Sequence, residues 1–360
     1  MAKTLPILVA ATTCLYVMRC GDAAPPQASA PGSPVAAQTL PPGADLVLAQ
    51  ADPPQETDSE PTQDTEPAAK SADEKAADNK ATAAAALKKA RELLTQHHSV
   101  RANVIETVEI GNHGFTATGR YLQRGETKIR LEFDLQIGQT SGALMEVCDG
   151  EILYTRHIIG EEIQLTRRNV REILEAARAS QTATADLFIA EMGLGGLPGM
   201  LAALEQAMTF DVLKDDTLDD KSVWMVQGTW NQQYRDRWLQ GPGQPPGSDG
   251  QPGARELPSL IPDLVRIFLD RKTGFPLKIE YRKKVPGRNH TRAMLTLAFR
   301  EIELNGAIDD SEFTFIPPET PIPIDLTPFY KERIRLAVQS AGQKTQAPTD
   351  APDAGQTPQP

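Results

Sequence analysis

At 360 residues, with 40% hydrophobic, 24% charged and 5% aromatic residues, the chain has a globular composition diluted by low-complexity sequence. Its formal net charge of −11 makes it a poor partner for nucleic acid, because neutralising phosphates takes clustered Lys and Arg. Both ends and one internal stretch are too polar and proline-rich to fold, which leaves one domain of moderate size.

Residues 1–23 read as a signal peptide. Lys3 precedes an apolar run from Leu5 to Met18 that is too short to anchor in a bilayer, and Gly21-Asp22-Ala23 supplies a cleavage context. The expectation is export to the periplasm or outer cell envelope. Cys20 closes the run and is the candidate for lipidation, which would anchor the mature chain to a membrane. Arg19 stands where lipidated cysteines normally follow a small residue, so plain cleavage near Ala23 is the alternative. Cys148 is then the lone cysteine of the domain, expected as a small buried hydrophobe. Residues 24–80 are rich in Ala, Pro and acid; nine Asp/Glu against three Lys from Ala51 to Lys80 leave −6 there. Such a segment buries too little to offset its ordering entropy and is expected to be a disordered tether.

The folded domain is expected over residues 81–340. From Thr82 the positions Ala83, Leu87, Ala90 and Leu94 form one helical stripe. Strands follow: Val104, Glu106, Val108 and Ile110 alternate with more polar neighbours, and Phe115, Ala117, Gly119 and Tyr121 follow the turn at Gly111–Gly114. The clearest is Ile129-x-Leu131-x-Phe133-x-Leu135-x-Ile137, whose other face is Lys128, Arg130, Glu132, Asp134 and Gln136; this is a half-buried antiparallel strand. Asp149-Gly150 predicts a tight hairpin, and Ile163–Thr166 extends the meander. Asn169 and Glu172 predict a capping box opening a helix with Val170, Ile173, Leu174 and Ala177 buried. A second helical patch spans about 198–208. Strands resume at Val223–Trp230, are interrupted by a Gly/Pro-rich insertion near 241–255, and continue through the turn at Asp270–Gly274. The parity change from Phe299 to Ile302 and Leu304 predicts a bulge near Arg300 or Glu301. Phe313–Pro318 is expected to close the sheet, Thr327-Pro328 to start a last helix, and residues 341–360 to be a disordered tail.

No constellation here supports chemistry. The five histidines show no metal-ligand spacing, no G-x-S-x-G elbow occurs, and Gly193–Gly199 follows a helix-like stretch instead of the strand a nucleotide loop requires. The expectation is a protein that is not an enzyme and takes no cofactor or metal. The apolar set Leu187, Met192, Leu194, Leu197, Met200, Leu201, Leu204 and Met208 either lines a ligand cavity, as flexible methionines suit, or is ordinary closed core. The glycines around Gly195 read as a mobile hinge beside it. Arg282-Lys283-Lys284 with Arg288 and Arg292 is a basic hairpin suited to peripheral contact with an anionic membrane or an acidic partner, or is a solvated face.

The stretch Gly119-Arg-Tyr-Leu-Gln-Arg-Gly-Glu-Thr-Lys-Ile-Arg130-Leu-Glu-Phe133, the hairpin Asp149-Gly150-Glu-Ile-Leu-Tyr154, the turn Leu269-Asp270 to Lys278, and Phe313-Thr-Phe-Ile-Pro-Pro318 resemble motifs of the LolA-like superfamily. These are outer-membrane lipoprotein carriers and sorting proteins of the LolA, LolB and RseB type, and the resemblance covers roughly Ala83 to Tyr330. It implies a mainly β, α+β fold: a curved antiparallel sheet or incomplete barrel with helices over its concave face. It also implies a cavity between sheet and helices that holds the acyl chains of lipids or lipoproteins, without chemistry. Arg130 matches the arginine that engages the lid in carriers of this kind. The long tether and the insertion near 241–255 depart from the compact carrier pattern. The alternative is an envelope protein-interaction or stress-sensor module on the same fold. Intact mass of the exported protein should begin near Ala24 or at a diacylated Cys20; a mass that includes Met1 overturns the leader reading.

Overall fold

A computed structural model describes residues 72–111, 113–179, 195–239 and 256–345. The expectations for the leader, Cys20, the tether up to 71, Leu187, Met192, Leu194, the insertion near 241–255 and the tail beyond 345 lie outside the described residues. Twelve strands form one sheet: β1 (Ser99–Ile110), β2 (His113–Arg124), β3 (Lys128–Ile137), β4 (Thr140–Asp149), β5 (Ile152–Ile159), β6 (Glu162–Asn169), β7 (Met208–Leu218), β8 (Lys221–Trp230), β9 (Leu264–Asp270), β10 (Pro276–Lys284), β11 (Thr291–Leu304) and β12 (Ile324–Asp325). The order β12-β6-β5-β4-β3-β2-β1-β11-β10-β9-β8-β7 leaves the sheet open, with β12 and β7 as its edges. Every pairing is antiparallel except that of β12 with Thr166 and Arg167 of β6. This is the curved α+β architecture expected from the sequence.

Two-residue alternation gives the sheet two unlike faces. Val104, Gly119, Phe133 and Leu144 stand in register across β1–β4 on an inner face, and Phe299 of β11 continues the row on the other side of β1. Two helices cover this face. Helix α1 (Ala72–Thr95) presents Ala83, Ala86, Leu87, Ala90 and Leu94, and α3 (Gly196–Ala207) presents Leu197, Leu201, Leu204 and Ala207; together with the strands they form one continuous apolar cluster. Helix α1 begins at Ala72, ten residues ahead of Thr82, where the apolar stripe starts. Alanine-rich, charged sequence supports helix by propensity alone, which carries the helix beyond its apolar stripe.

At the β6 end the same face is covered by α2 (Val170–Ala179) and α5 (Thr327–Thr345), which bury Ile173, Ala177, Tyr330 and Ile334 against Cys148 and Leu153. The Asn169 carboxamide oxygen accepts from Glu172 N at 3.1 Å while its NH2 donates to Glu172 Oε1 at 2.9 Å, the reciprocal cap read from the sequence. The expected bulge is present, with Glu301 at φ 50° opposite a register shift between Arg101 and Asn103.

Two readings need correction. The helical patch expected over about 198–208 runs at Met208 straight into a strand, β7 (Met208–Leu218), without a turn residue. After β8, Gln232–Leu239 adds a short helix, α4. Phe313–Pro318 adds no strand; Asp310–Phe313 is a 3-10 turn on the outer face, where Phe313 and Ile308 cover Leu122 and Phe315 packs on Tyr154. The prolines keep this crossing from joining the ladder, and β12 pairs only afterwards.

Helix α1 is held at its C-terminal end by the β9–β10 turn. His97 Nε2 lies 3.1 Å from Thr273 O, and Gly274 (φ +71°) lies so close to the helix that an added Cβ would fall 2.3 Å from Ala90 O. Gly274→Ala combines left-handed strain with a backbone clash and should cost on the order of 2–4 kcal/mol. Urea denaturation measures it; an unchanged midpoint means that α1 is not seated there.

Candidate functional site

The inner face carries the candidate site. Of the residues singled out in the sequence, Leu197, Leu201, Leu204 and Met208 are brought together on α3 and the start of β7, buried against the sheet, and Met200 packs against the same cluster half-buried. Arg130 is not brought to them. It pairs across β2 and β3 with Leu122 on the outer face, donating from Nε to Glu132 Oε1 at 2.8 Å and from Nη1 to Glu312 O at 2.7 Å. There it belongs to a network in which Arg120 and Arg130 share Glu132; burial raises that carboxyl's pKa, but the two guanidiniums outweigh it and hold the group below its usual range. The network ties the C-terminal crossing to the sheet.

Helix α3 has the construction of a cover. It is preceded by Gly195 and opened by Gly196, both left-handed at φ 79° and 56°. The Tyr121 hydroxyl donates to Gln123 Oε1 at 2.6 Å, the Leu197 backbone bonds to the same phenol, and an added Cβ on Gly196 would fall 2.1 Å from Gln123 Oε1. Two polar side chains of β2 thus pin the start of the helix. On its far side Arg91 of α1 meets Glu205 of α3 at 2.6 Å, above a crevice of about 410 Å³ with Met208 and Phe210 in its lining. A second, open groove of about 870 Å³ runs between α2 and α5 and mixes charges of both signs: Arg167, Lys331 and Arg335 with Glu172, Asp325 and Glu332.

Toward β6 the inner face turns polar. Thr155 Oγ1 bridges Glu146 Oε1 at 3.4 Å and Arg168 Nη1 at 3.1 Å, and the Arg168 guanidinium lies over the Tyr330 ring. Burial raises the Glu146 pKa against the pull of Arg168 and Thr155, and burial together with the Arg168 charge lowers that of His157. The basic hairpin is partly structural: Lys283 Nζ donates to the carbonyls of Leu257, Pro258 and Ile261 at 2.8–3.0 Å and lies 3.3 Å from Asp263, while Arg282 is bound to Glu280 and Thr291.

Glu106 interrupts the apolar row. It is fully buried in the central strand β1, between Ala117 of β2 and Leu297 of β11 with Val104 and Val108 along the strand, and neither of its carboxyl oxygens has a hydrogen-bond partner. Burial pushes its pKa up from 4.5 to about 8, so the neutral acid prevails at pH 7. Leaving such a group unsatisfied costs about 1–3 kcal/mol, which a leucine here would not. By parity Glu106 shares the row of Val104 and Val108, and a carboxylate in an otherwise apolar row is the signal in the sequence that marks it.

No family model matches the chain, and no curated protein matches it. Solved structures do. The chain is similar to a Pseudomonas aeruginosa MucA/MucB complex chain at 14% identity, covering 65% of this chain and 61% of that one, with a TM-score of 0.32. It is similar to the LolA superfamily protein NE2245 from Nitrosomonas europaea at 13% identity, covering 65% and 97%, TM-score 0.26. It is similar to LprF from Mycobacterium bovis at 10% identity, covering 64% and 95%, TM-score 0.34. The chain spans about three-fifths of the length of the MucB chains it matches. At these scores no residue role passes from them to this chain.

The buried acid makes a pH prediction. Because Glu106 binds its proton more tightly folded than unfolded, stability is greatest below about pH 4.5 as far as this group goes and falls as pH rises to about 8. Glu106→Gln removes that dependence, so its stability relative to wild type should grow by on the order of 3–5 kcal/mol between pH 4.5 and 8.5. Urea melts at both pH values check it; parallel stability curves would show that Glu106 does not titrate in this window.

Proposed function

We propose that this chain is an exported, non-catalytic binding protein of the cell envelope, whose inner sheet face takes the acyl chains of lipids or lipoproteins as carrier or acceptor. One observation carries the reading. The inner face is apolar from β3 through β1 to β8, and what covers it from α1 to α3 is helix, not a second sheet. In the described structure Leu201 and Leu204 fill that interface, so admitting a chain requires the start of α3, at Gly195 and Gly196, to lift from the sheet while β7 holds its other end. The cover is held by few bonds, chiefly those of Tyr121 and Gln123 and the Arg91–Glu205 pair, so its opening is cheap relative to unfolding.

A protein-interaction or sensor role is favoured by a different observation. From Glu162 to Leu165 the outer edge of β6 has no paired strand among the described residues, and Ile163, Ile316, Ile322 and Ile324 are exposed. Open edges accept added strands.

Tyr121→Phe tests the first reading. Removing the pin should destabilise the closed cover by about 1 kcal/mol and so raise the affinity for a fluorescent fatty-acyl probe roughly fivefold, at a comparable cost in overall stability. If neither wild type nor Tyr121→Phe binds the probe, the interface is closed core and acyl binding is wrong. Native mass spectrometry of protein purified from its own envelope separates the two readings: co-purifying lipid supports the first, a protein partner with no lipid the second.

A further inference from the structure

We propose that the Glu106 carboxyl is the polar anchor of the ligand site, and that it recognises the carbonyl oxygen of a neutral acyl linkage, an ester or an amide. This rests on the acyl-chain reading and deepens it from chain to head.

The fold does not need an acid at this position. Glu106 is on the central strand, in the row formed by Val104, Val108, Ala117 and Leu297, all buried and apolar. Both carboxyl oxygens lie away from water with no partner. Buried polar atoms are nearly always satisfied, so one that is not calls for an explanation, and a bound partner is one that the chemistry of this site can be tested against. The chemistry of that partner follows from what surrounds the acid. On β2 beside it and on β10 beyond β11 the inner face carries Tyr121 and Tyr281, both phenols whose pKa burial raises. Tyr121 is already committed to Gln123. Helices α1 and α3 bring alanine, leucine and Met200 into this cluster, and their charged Lys88, Arg91 and Glu205 line the crevice at edge strand β7. No cation among the described residues therefore faces Glu106 to hold it ionised, and the group stays a protonated donor at neutral pH. A protonated acid on an apolar floor complements a hydrogen-bond acceptor carried on an apolar chain. A carboxylate ligand would bury a negative charge with nothing to offset it. An alkyl chain alone would leave the acid unsatisfied. A neutral ester or amide carbonyl satisfies the O–H and brings no charge.

The test uses an ester and an ether lipid that differ only in the linkage, with an amide lipid of the same chain length beside them. Monopalmitoylglycerol and its ether analogue, hexadecylglycerol, are compared with N-palmitoylethanolamine as competitors of a fluorescent fatty-acyl probe on the wild type, Glu106→Leu and Glu106→Gln. The wild type should prefer the ester or the amide to the ether by about 3–10-fold, the worth of one buried hydrogen bond. Glu106→Leu should bind all three alike. Glu106→Gln keeps a donor and should keep the preference. Raising the pH from 7 to 9 should weaken wild-type ester binding by up to about tenfold as the acid ionises, and leave Glu106→Gln unchanged. The ester and amide arms report which linkage is read. If the wild type binds ether and ester equally, or Glu106→Leu retains the preference, the anchor proposal is overturned while acyl binding stands. If the wild type binds none of the three, acyl binding fails and the anchor with it.

Discussion

A sheet of twelve strands has two large faces to remove from water, and this chain treats them by different physics. The inner face is covered by helices chiefly through side-chain packing, Leu87, Ala90, Leu201 and Leu204 against Val104, Phe299, Ile279 and Ile267, with a few polar contacts such as those of Tyr121 and the Arg91–Glu205 pair at the helices. Packing contacts are non-directional and scale with area, so apart from those few polar contacts they fix no single geometry. Over β2–β4 the outer face is covered by an extended crossing fixed by charge, with Arg120, Arg124, Lys128 and Arg130 meeting Glu132, Asp310 and Glu312. Those contacts are directional and hold one geometry. The two faces are thus covered by chemically distinct means.

The parts that could be read from sequence are those governed by local chemistry. The Asn169–Glu172 cap, the Asp149-Gly150 turn and the alternation of β3 depend on residues close together in the chain, and each has the form expected. The bulge at Glu301 was legible because a change of parity leaves its trace in a single strand. Strand β7 was not. Its first half continues the apolar spacing of α3, its second half, Lys214–Leu218, is mostly charged and polar, and its pairing partner β8 is what makes it a strand. The fate of Phe313–Pro318 likewise depends on a distant surface: nothing local says that its two phenylalanines pack on the outer face instead of joining the ladder.

The candidate site shows the same division. Leu197, Leu201, Leu204 and Met208 could be grouped from helical spacing, and the structure gathers them. Arg130 was marked by motif resemblance, yet strand parity already put it opposite Ile129 and Leu131, and the structure keeps it there, joined to Glu312. Motif and parity disagreed, and parity prevailed because it is a geometric property of the strand itself. Glu106 is the converse: parity placed a carboxylate on the inner face, and the physical objection to burying it is what makes it informative.

The position of β1 in the middle of the sheet has a consequence for how the molecule comes into being. Its neighbour on one side, β2, follows at once in the chain, but its neighbour on the other side is β11, so Val104 meets Phe299 only after nearly the whole domain has been made. A pairing so distant in sequence is slow to form, since the loop must close before the contact rewards it. Until Thr291–Leu304 arrives, the nascent meander β1–β6 has an open edge at β1, whose inner face is largely apolar, which is the kind of surface that aggregates or recruits a chaperone. For this chain the last third of the polypeptide is therefore the limiting step of maturation, and truncations there should leave an insoluble product, not a smaller domain.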